Sequence, residues 1–222
     1  PAASAFLNPK LPGEAYPFKE LAGVGVAYKL LQWLVGMRGE GGLEDLLDIV
    51  AVGTLGDYSL LTGENRVLVS LGMERLARWA NPGLSALQAG SRMPREGFSA
   101  KQICFNLVPR LNSPGRIGSA RKVVELLVTE DAVRASAIAS EIEGLNSRRR
   151  ALDTELTDQA CYLADIAMKK GDPRSLVFSS SSWHEGVVGI GASRLAERYN
   201  LPSVLIAVRD GFGKGSARSA SA

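Results

Sequence analysis

The sequence predicts an α/β fold in which a long helix joins two lobes. From Thr129 to Lys170 a helical pattern continues without a proline, and a straight helix of that length would span roughly 60 Å, too long for one small core. After Pro173 the pattern changes to strand, helix and strand. Earlier in the chain, the apolar run from Leu46 to Val52 predicts a buried parallel strand. Strands and helices are therefore predicted both before and after the long helix, which favours two α/β lobes.

Composition and charge are those of a globular protein. The chain has 222 residues, of which 45% are hydrophobic and 22% charged, so it can bury a core. No apolar run approaches the roughly 18 to 20 residues of a transmembrane helix, and the first residues lack the basic and apolar segments of a signal peptide. A net charge of +3 permits a nucleic-acid partner without requiring one.

The two cysteines, Cys104 and Cys161, lie far apart in apolar helical patterns. We predict buried free thiols and neither a disulfide nor a metal site. Reduced thiols are typical of the cytoplasm, which is the location we expect.

Asp57 is the first candidate functional residue. It follows the strand predicted at Leu46–Val52, and ligands bind at the carboxyl edge of open parallel sheets. Its carboxylate would then face a ligand. The structural alternative is that Asp57 caps a helix or a turn.

A second candidate is the segment from Pro109 to Ala120, which we predict to be a non-periodic loop before a helix. Arg110 and Arg116 offer planar bidentate donors, and the loop adds backbone N–H groups and Asn112. These groups could hold phosphate. An ordinary loop with solvated arginines remains the alternative.

The predicted long helix has acids at its start and Lys169 and Lys170 at its end, which matches the helix dipole. A break near Gly144 is one way to shorten it. Arg148, Arg149 and Arg150 fall on different faces, so we expect them to be solvated or paired with nearby acids.

The segment from Ser179 to Leu195 combines a strand end, a polar turn and a glycine-bearing helix start. That layout suits an anion, because the N–H groups and the positive end of the helix dipole face the turn. The only histidine of the chain, His184, lies in this turn two residues before Gly186. A purely structural histidine is the alternative.

The last candidate is Lys214–Ser219, which follows a turn at Asp210–Gly213. It combines small residues with Lys214, Arg218 and two hydroxyls, Ser216 and Ser219. Close approach of backbone to phosphate would need such residues, and Gly215 would permit it.

Seven segments occur in a specific order across nearly the whole chain: Asn8–Lys10, Tyr16–Lys19, Leu21–Ala27, Gly53–Asp57, Pro109–Arg116, Trp183–Ile190 and Lys214–Ser219. In that order they resemble the RecJ single-stranded-DNA-specific exonucleases of the DHH phosphoesterase superfamily. The resemblance implies two α/β lobes facing each other across a DNA-binding groove. Residues 1–128 would be the C-terminal part of the DHH catalytic lobe, 129–172 the connecting helix, and 173–222 a truncated DHHA1 substrate-binding lobe.

The resemblance also implies an activity, the hydrolysis of single-stranded DNA from the 5′ end in recombination and repair, with Mn²⁺ or Mg²⁺. Asp57 matches the fourth metal-binding motif and would be both catalytic and a metal ligand, although the family usually has Ala-Asp at Gly56-Asp57. The residues that would contact the substrate are Arg110, Asn112, Arg116, His184, Gly186, Lys214, Gly215, Ser216, Arg218 and Ser219.

The first three family motifs, including Asp-His-His, would lie before Pro1, and both ends of the sequence indicate a piece of a longer protein. A two-metal site needs several hard ligands, which Asp57 and a distant histidine do not supply. The resemblance therefore implies that the longer protein is a nuclease, whereas this piece is inactive and binds no metal.

Two other functions remain open. One is a module that binds single-stranded nucleic acid without cutting it. The other is a phosphodiesterase that acts on short oligonucleotides or cyclic dinucleotides. The expected partner is single-stranded DNA and no membrane; the sequence leaves the oligomeric state open, with a monomer favoured.

Overall fold

The computed structural model describes residues 5–219. A 3₁₀ turn (Leu43–Leu46) precedes the second helix, and a π-helical turn (Ile103–Leu107) precedes the sixth. The other elements, in chain order, are α1 (Gly23–Met37), α2 (Leu47–Gly56), α3 (Gly63–Leu76), α4 (Pro82–Ala89), α5 (Ala100–Gln102), α6 (Val108–Ile117), α7 (Arg121–Val128), α8 (Ala132–Lys170), β1 (Leu176–Ser180), α9 (Val188–Tyr199), β2 (Ser203–Arg209) and β3 (Phe212–Arg218).

The chain divides into two compact units. Unit 1 comprises Pro1–Leu111 and Val124–Ser140, and unit 2 comprises Asn112–Val123 and Glu141–Ala222. Helix α8 runs through both, so the predicted fold class, with two parts joined by a long helix, is confirmed. The lobe boundaries predicted after residues 128 and 172 stay predictions.

The strand predicted at Leu46–Val52 is wrong, because this segment belongs to the 3₁₀ turn and to α2. Helix α2 is buried on most of its surface, and even Asp48 is only 3% exposed. An all-round buried helix lacks the alternation of apolar and polar residues that marks an amphipathic one. Its short apolar run therefore cannot be told from a buried strand by periodicity.

Helices α2 and α3 pack against each other at Gly72. A Cβ at this buried glycine would overlap the Leu47 carbonyl oxygen and lie 2.5 Å from the Cβ of Ala51. The two helices can therefore pack this closely only because residue 72 has no side chain. The sequence predicted α3 as an amphipathic helix from Asn65 to Trp79, close to its observed bounds.

The loop predicted at Pro109–Ala120 is also wrong, because most of this segment forms α6. The π-helical turn before it has a longer hydrogen bond, from the Val108 N–H to the Ile103 carbonyl, just before Pro109. A local change of hydrogen-bond pattern can accommodate a residue that lacks an N–H. Pro114 lies inside the helix near its end. The prolines and Gly115 therefore gave a misleading loop signal.

Helix α8 is continuous over 39 residues and does not break at Gly144. Asp131 caps its start, since its Oδ1 accepts the N–H of Val133 at 2.8 Å and of Arg134 at 3.3 Å. Lys169 and Lys170 end it, as the dipole argument predicted. A single glycine costs only about 1 kcal/mol in a helix, which packing along so long an element can offset.

Unit 2 contains the sheet, in the order β1-β2-β3. Strands β1 and β2 are parallel and α9 connects them, as predicted from the strand, helix and strand pattern. Asp210 and Gly211 form a two-residue hairpin with φ angles of 50° and 78°, typical of a type I′ turn. The chain returns as β3, antiparallel to β2. Lys214–Arg218 therefore lies on a strand.

The core of unit 2 lies between one face of the sheet and two helices. Leu156, Ala160 and Ala164 of α8 pack with Leu195 of α9 and Leu205 of β2. This stripe recurs every four residues along α8, so it forms one apolar face.

Both cysteines are free thiols, as predicted: Cys161 is buried and Cys104 half-buried. Burial raises the pKa of the Cys104 thiol. In the part of the chain that the structure describes, none of the helices combines the length and the apolar character that a membrane-spanning helix needs.

The contact at Gly72 gives a first prediction. Gly72→Ala should lower the free energy of unfolding of unit 1 by about 1 to 3 kcal/mol, because the new methyl group overlaps the backbone of α2. Chemical denaturation followed by circular dichroism measures this.

The matched control is Gly36→Ala, since Gly36 is helical and exposed and a Cβ there meets nothing within 4 Å. This variant should gain up to about 1 kcal/mol from helix propensity. Equal effects of the two substitutions would contradict the packing argument.

Candidate functional site

The turn between β1 and α9 holds His184. The imidazole Nδ1 accepts the backbone N–H of Gly186 at 3.0 Å. A neutral imidazole therefore carries its proton on Nε2, which becomes a hydrogen-bond donor. The half-buried His184 thus has one nitrogen fixed by the turn and one available to a ligand.

The end of α6 presses against the same turn at Gly186. A Cβ at Gly186 would overlap the carbonyl oxygen of Arg116, and Arg116 Nη1 donates to the Gly186 carbonyl at 3.4 Å. Three residues that the sequence singled out, Arg116, His184 and Gly186, are therefore neighbours within unit 2.

Strand β3 brings further predicted residues to the start of α9. Lys214, Ser216 and Arg218 alternate along the strand and so share one face. A Cβ on Gly189, in the first turn of α9, would lie 3.3 Å from Ser216 Oγ and 3.7 Å from Arg218 Nη2. A hydroxyl and a guanidinium therefore lie beside a helix start, which is the positive end of the helix dipole.

The glycines of β3 have a packing role that the sequence did not predict. Gly213 and Gly215 lie on the opposite face of the strand, where a Cβ at either position would meet Ile206 of β2 at 3.0 Å. They make room for a neighbouring side chain. The predicted phosphate contact of Gly215, and that of Ser219 just beyond the strand, stay predictions.

Lys214 is paired, because its Nζ lies 3.2 Å from Glu185 Oε2. Both side chains are more than half exposed, so the pair contributes at most about 1 kcal/mol. The pair nevertheless reduces the positive charge that Lys214 offers to a phosphate.

The remaining predicted residues of α6 lie on different sides of the helix. Asn112 and Arg116 are one turn apart and both exposed. Arg110 belongs to unit 1, is only 8% exposed, and donates from Nη1 to the Asn106 carbonyl at 2.6 Å. Arg110 therefore stabilises the preceding turn, and its contact with substrate stays a prediction.

Sequence reasoning missed a buried ionic cluster in unit 2. Asp153 of α8 is 3% exposed; its Oδ2 lies 2.9 Å from Arg194 Nη2 and 3.8 Å from Arg149 Nη1. Arg149 also donates from Nη2 to Asn146 Oδ1 at 3.1 Å. The i,i+4 spacing of Arg149 and Asp153 on the face that carries Leu156 was the available signal.

This cluster carries more positive than negative charge. Burial lowers the pKa of Arg149, Asp153 opposes that change, and the charges of Arg116, Arg150 and Arg194 add to the lowering. Within residues 5–219, Arg149 Nε and Asp153 Oδ1 have no hydrogen-bond partner. The arginine side chains therefore create a positive potential that reaches Arg116.

Asp57 lies in unit 1, at the C-terminal cap of α2 and not at a strand end. It is exposed, and its Oδ2 accepts from Ser59 Oγ at 3.2 Å. A carboxylate oxygen at the negative end of a helix dipole could supply one hard ligand to a divalent cation, and a complete site would need further ligands. Among residues 5–219, however, no group of three or more metal-binding side chains occurs.

Hydroxyl, guanidinium and imidazole donors beside a helix start are typical of proteins that bind phosphate groups. No protein-family model matches the chain. Curated relatives do: it is 40% identical to single-stranded-DNA-specific exonuclease RecJ of Bacillus subtilis, over 99% of this chain and 27% of that protein. It is 36% identical to the Escherichia coli protein of the same name, over 99% of this chain and 41% of that protein.

Solved structures give the same result. RecJ from Thermus thermophilus in complex with Mg²⁺ matches with a TM-score of 0.80 and 33% identity, over 92% of this chain and 31% of that one. Exonuclease RecJ bound to manganese matches with a TM-score of 0.78 and 33% identity, over 95% of this chain and 52% of that one. The resemblance is therefore confirmed, and the chain is homologous to RecJ over nearly its whole length. It spans between 27% and 41% of these curated relatives.

The buried ionic cluster generates the second prediction. Asp153→Asn should lower the free energy of unfolding of unit 2 by about 3 to 5 kcal/mol, because it leaves Arg149 and Arg194 without their counter-charge. Thermal unfolding at low and high salt measures this.

Asp158→Asn, an exposed acid on the same helix, is the control and should change stability by less than about 0.5 kcal/mol. If Asp153→Asn is as mild as the control, the cluster does not stabilise unit 2.

Proposed function

We propose that this chain is a section of a longer, metal-dependent exonuclease that hydrolyses single-stranded DNA from the 5′ end in recombination and repair. Its relatives RecJ of Bacillus subtilis and Escherichia coli are named for a single-stranded-DNA-specific exonuclease, and structural relatives hold Mg²⁺ or manganese. In this proposal unit 2 binds phosphates of the strand, and Asp57 of unit 1 is one ligand of the metal.

The observation that carries this proposal is that Ser216 and Arg218 lie beside Gly189 in the first turn of α9, while His184 lies in the turn that leads into the same helix. Each presents a donor, and Arg218 has no carboxylate partner among the described residues. A phosphate would accept hydrogen bonds from the hydroxyl, the guanidinium and imidazole Nε2. The helix dipole would add a favourable field.

These groups contact the phosphate backbone of the DNA, so their binding depends little on base sequence. By fixing a phosphate at unit 2 they would hold the strand in register for hydrolysis. When bound, the metal supplies Lewis-acid polarisation of the phosphate and a lowered pKa of water. The contribution of Asp57 is a single exposed carboxylate oxygen ligand.

Binding of single-stranded DNA gives the third prediction. Arg218→Ala should weaken affinity by about 1 to 3 kcal/mol and reduce the salt dependence, because a charge-assisted phosphate contact is lost. Fluorescence anisotropy with a labelled oligonucleotide, titrated over a range of salt concentrations with EDTA present, measures both.

Arg174→Ala removes an exposed arginine outside this group and serves as the control. If wild type and Arg218→Ala coincide in both slope and midpoint, unit 2 does not bind phosphate through this face.

Nuclease activity gives the fourth prediction. We propose that residues 1–222 alone do not cleave single-stranded DNA with Mn²⁺ or Mg²⁺, because a two-metal site needs more ligands than Asp57. In the longer protein, Asp57→Ala should lower cleavage by more than about a hundredfold, beyond the usual loss for an outer-shell residue. Release of labelled nucleotides with time measures both.

Glu40→Ala, an exposed acid of the same unit, should cleave like the wild type. Robust metal-dependent cleavage by the 222-residue chain, or normal cleavage by Asp57→Ala, would disprove the assignment of Asp57. Tight binding without cleavage by the longer protein would favour a binding module.

A further inference from the structure

A cleft of about 330 Å³ lies in unit 2 between the His184 turn and the β2–β3 hairpin. None of the phosphate-binding groups Ser216, Arg218 and His184 lines it. Its walls include Trp183, Glu185, Ala207, Arg209, Phe212 and Lys214.

The lower part of the cleft is rigid and apolar. Trp183 is only 4% exposed, and its indole Nε1–H donates to Gln159 Oε1 of α8 at 2.8 Å. Ala207, opposite Lys214 in the sheet register, is also buried. A flat apolar group could therefore enter the cleft without rearranging its floor.

Phe212 lies at the mouth of the cleft and is 81% exposed. It is the first residue of β3, directly after the hairpin, and pairs with Arg209. Exposing a whole phenyl ring to water forgoes the favourable burial of its surface. A ring fixed on a strand beside basic side chains is typical of a platform on which a base stacks.

The charges at the cleft disfavour a phosphate and suit a base. Glu185 and Lys214 lie 3.2 Å apart. Asp210 and Arg209 also line the cleft, so two carboxylates there oppose an anion and offset the two cations. The edge of a nucleobase offers both donors and acceptors and carries no charge. A carboxylate and an ammonium at one site can engage both kinds of group.

The cleft and the phosphate-binding groups Ser216 and Arg218 are connected by evenly spaced residues of β3. Phe212, Lys214, Ser216 and Arg218 share one face of β3, with a step of about 7 Å from each to the next. A single strand of DNA whose phosphate contacts Ser216 and Arg218 can therefore run along this face of β3 toward Phe212. Its neighbouring nucleotide would reach the cleft.

We propose that this cleft binds a nucleobase of the single strand, one or two nucleotides from the phosphate held by Ser216 and Arg218. The base stacks on Phe212 and directs its polar edge to Glu185 and Lys214. This inference rests on the proposed function, because it takes the phosphate position from it.

The test uses the 222-residue chain, EDTA and short labelled oligothymidylates in an anisotropy assay. Phe212→Ala should weaken binding about 5- to 150-fold, the range for loss of one stacked base. Tyr162→Ala removes another exposed aromatic ring of unit 2 that does not line the cleft, and it should bind like the wild type.

A series of oligonucleotides with a single abasic site at successive positions needs no protein variant. One position should weaken binding to wild type by a similar factor, and that loss should vanish with Phe212→Ala, because both changes remove the same contact. Losses that multiply, or a series with no sensitive position, would overturn the proposal.

Free deoxythymidine monophosphate distinguishes a base of the strand from a single nucleotide. As a competitor it should displace the oligonucleotide only at concentrations far above the oligonucleotide dissociation constant, since it lacks the other phosphate contacts. Displacement at comparable concentrations would instead make the cleft a mononucleotide site. If Arg218→Ala weakens binding and Phe212→Ala does not, only the base site fails; if neither does, the proposed function fails.

Discussion

Three glycines at the start of α9 are the constraint on which unit 2 depends. A side chain at Gly186 would overlap the Arg116 carbonyl, one at Gly189 would crowd Ser216 and Arg218, and one at Gly191 would overlap Leu156 of α8 and crowd β2. Each glycine therefore lets a different element approach the same helix end. The end of α6, the sheet and α8 meet there because backbone atoms and side chains can pack without a Cβ between them. This packing therefore places the hydrogen-bond donors of the candidate site near the start of α9.

Electrostatic pairing divides the basic residues of unit 2 into two kinds. Arg149 and Arg194 share the buried Asp153, and Lys214 is held by Glu185, so these cations have acidic partners. Arg218 has none among residues 5–219, so its charge stays available to a phosphate. Net charge alone could not reveal this difference. Two cations around one buried carboxylate also leave a positive potential in the unit, which favours an anionic ligand.

The sequence predicted correctly those elements whose pattern of apolar and polar residues matches which of their faces are buried. The β1, α9 and β2 pattern was recognisable because strand and helix periods alternate between clear turn residues. Leu46–Val52 was mistaken for a strand, since α2 is buried on most of its surface and so loses its helical period. Pro109–Ala120 was mistaken for a loop, because a π-helical turn accommodates Pro109, and such a turn has no sequence signature. The order of short motifs carried the resemblance to RecJ. The i,i+4 spacing of Arg149 and Asp153 indicates only part of the ionic cluster, because the contact with Arg194 of α9 is not visible in a linear pattern.

A strand is a better support for phosphate-binding residues than a flexible loop would be. On β3 the side chains of Ser216 and Arg218 stand at a fixed spacing, and pairing with β2 holds the backbone that carries them. Binding therefore costs less conformational entropy than it would if a loop had to become ordered. Gly213 and Gly215 let Ile206 pack across the other face of the strand. These two glycines thus contribute to a rigid sheet, because they leave room for a side chain of the neighbouring strand and do not form a turn.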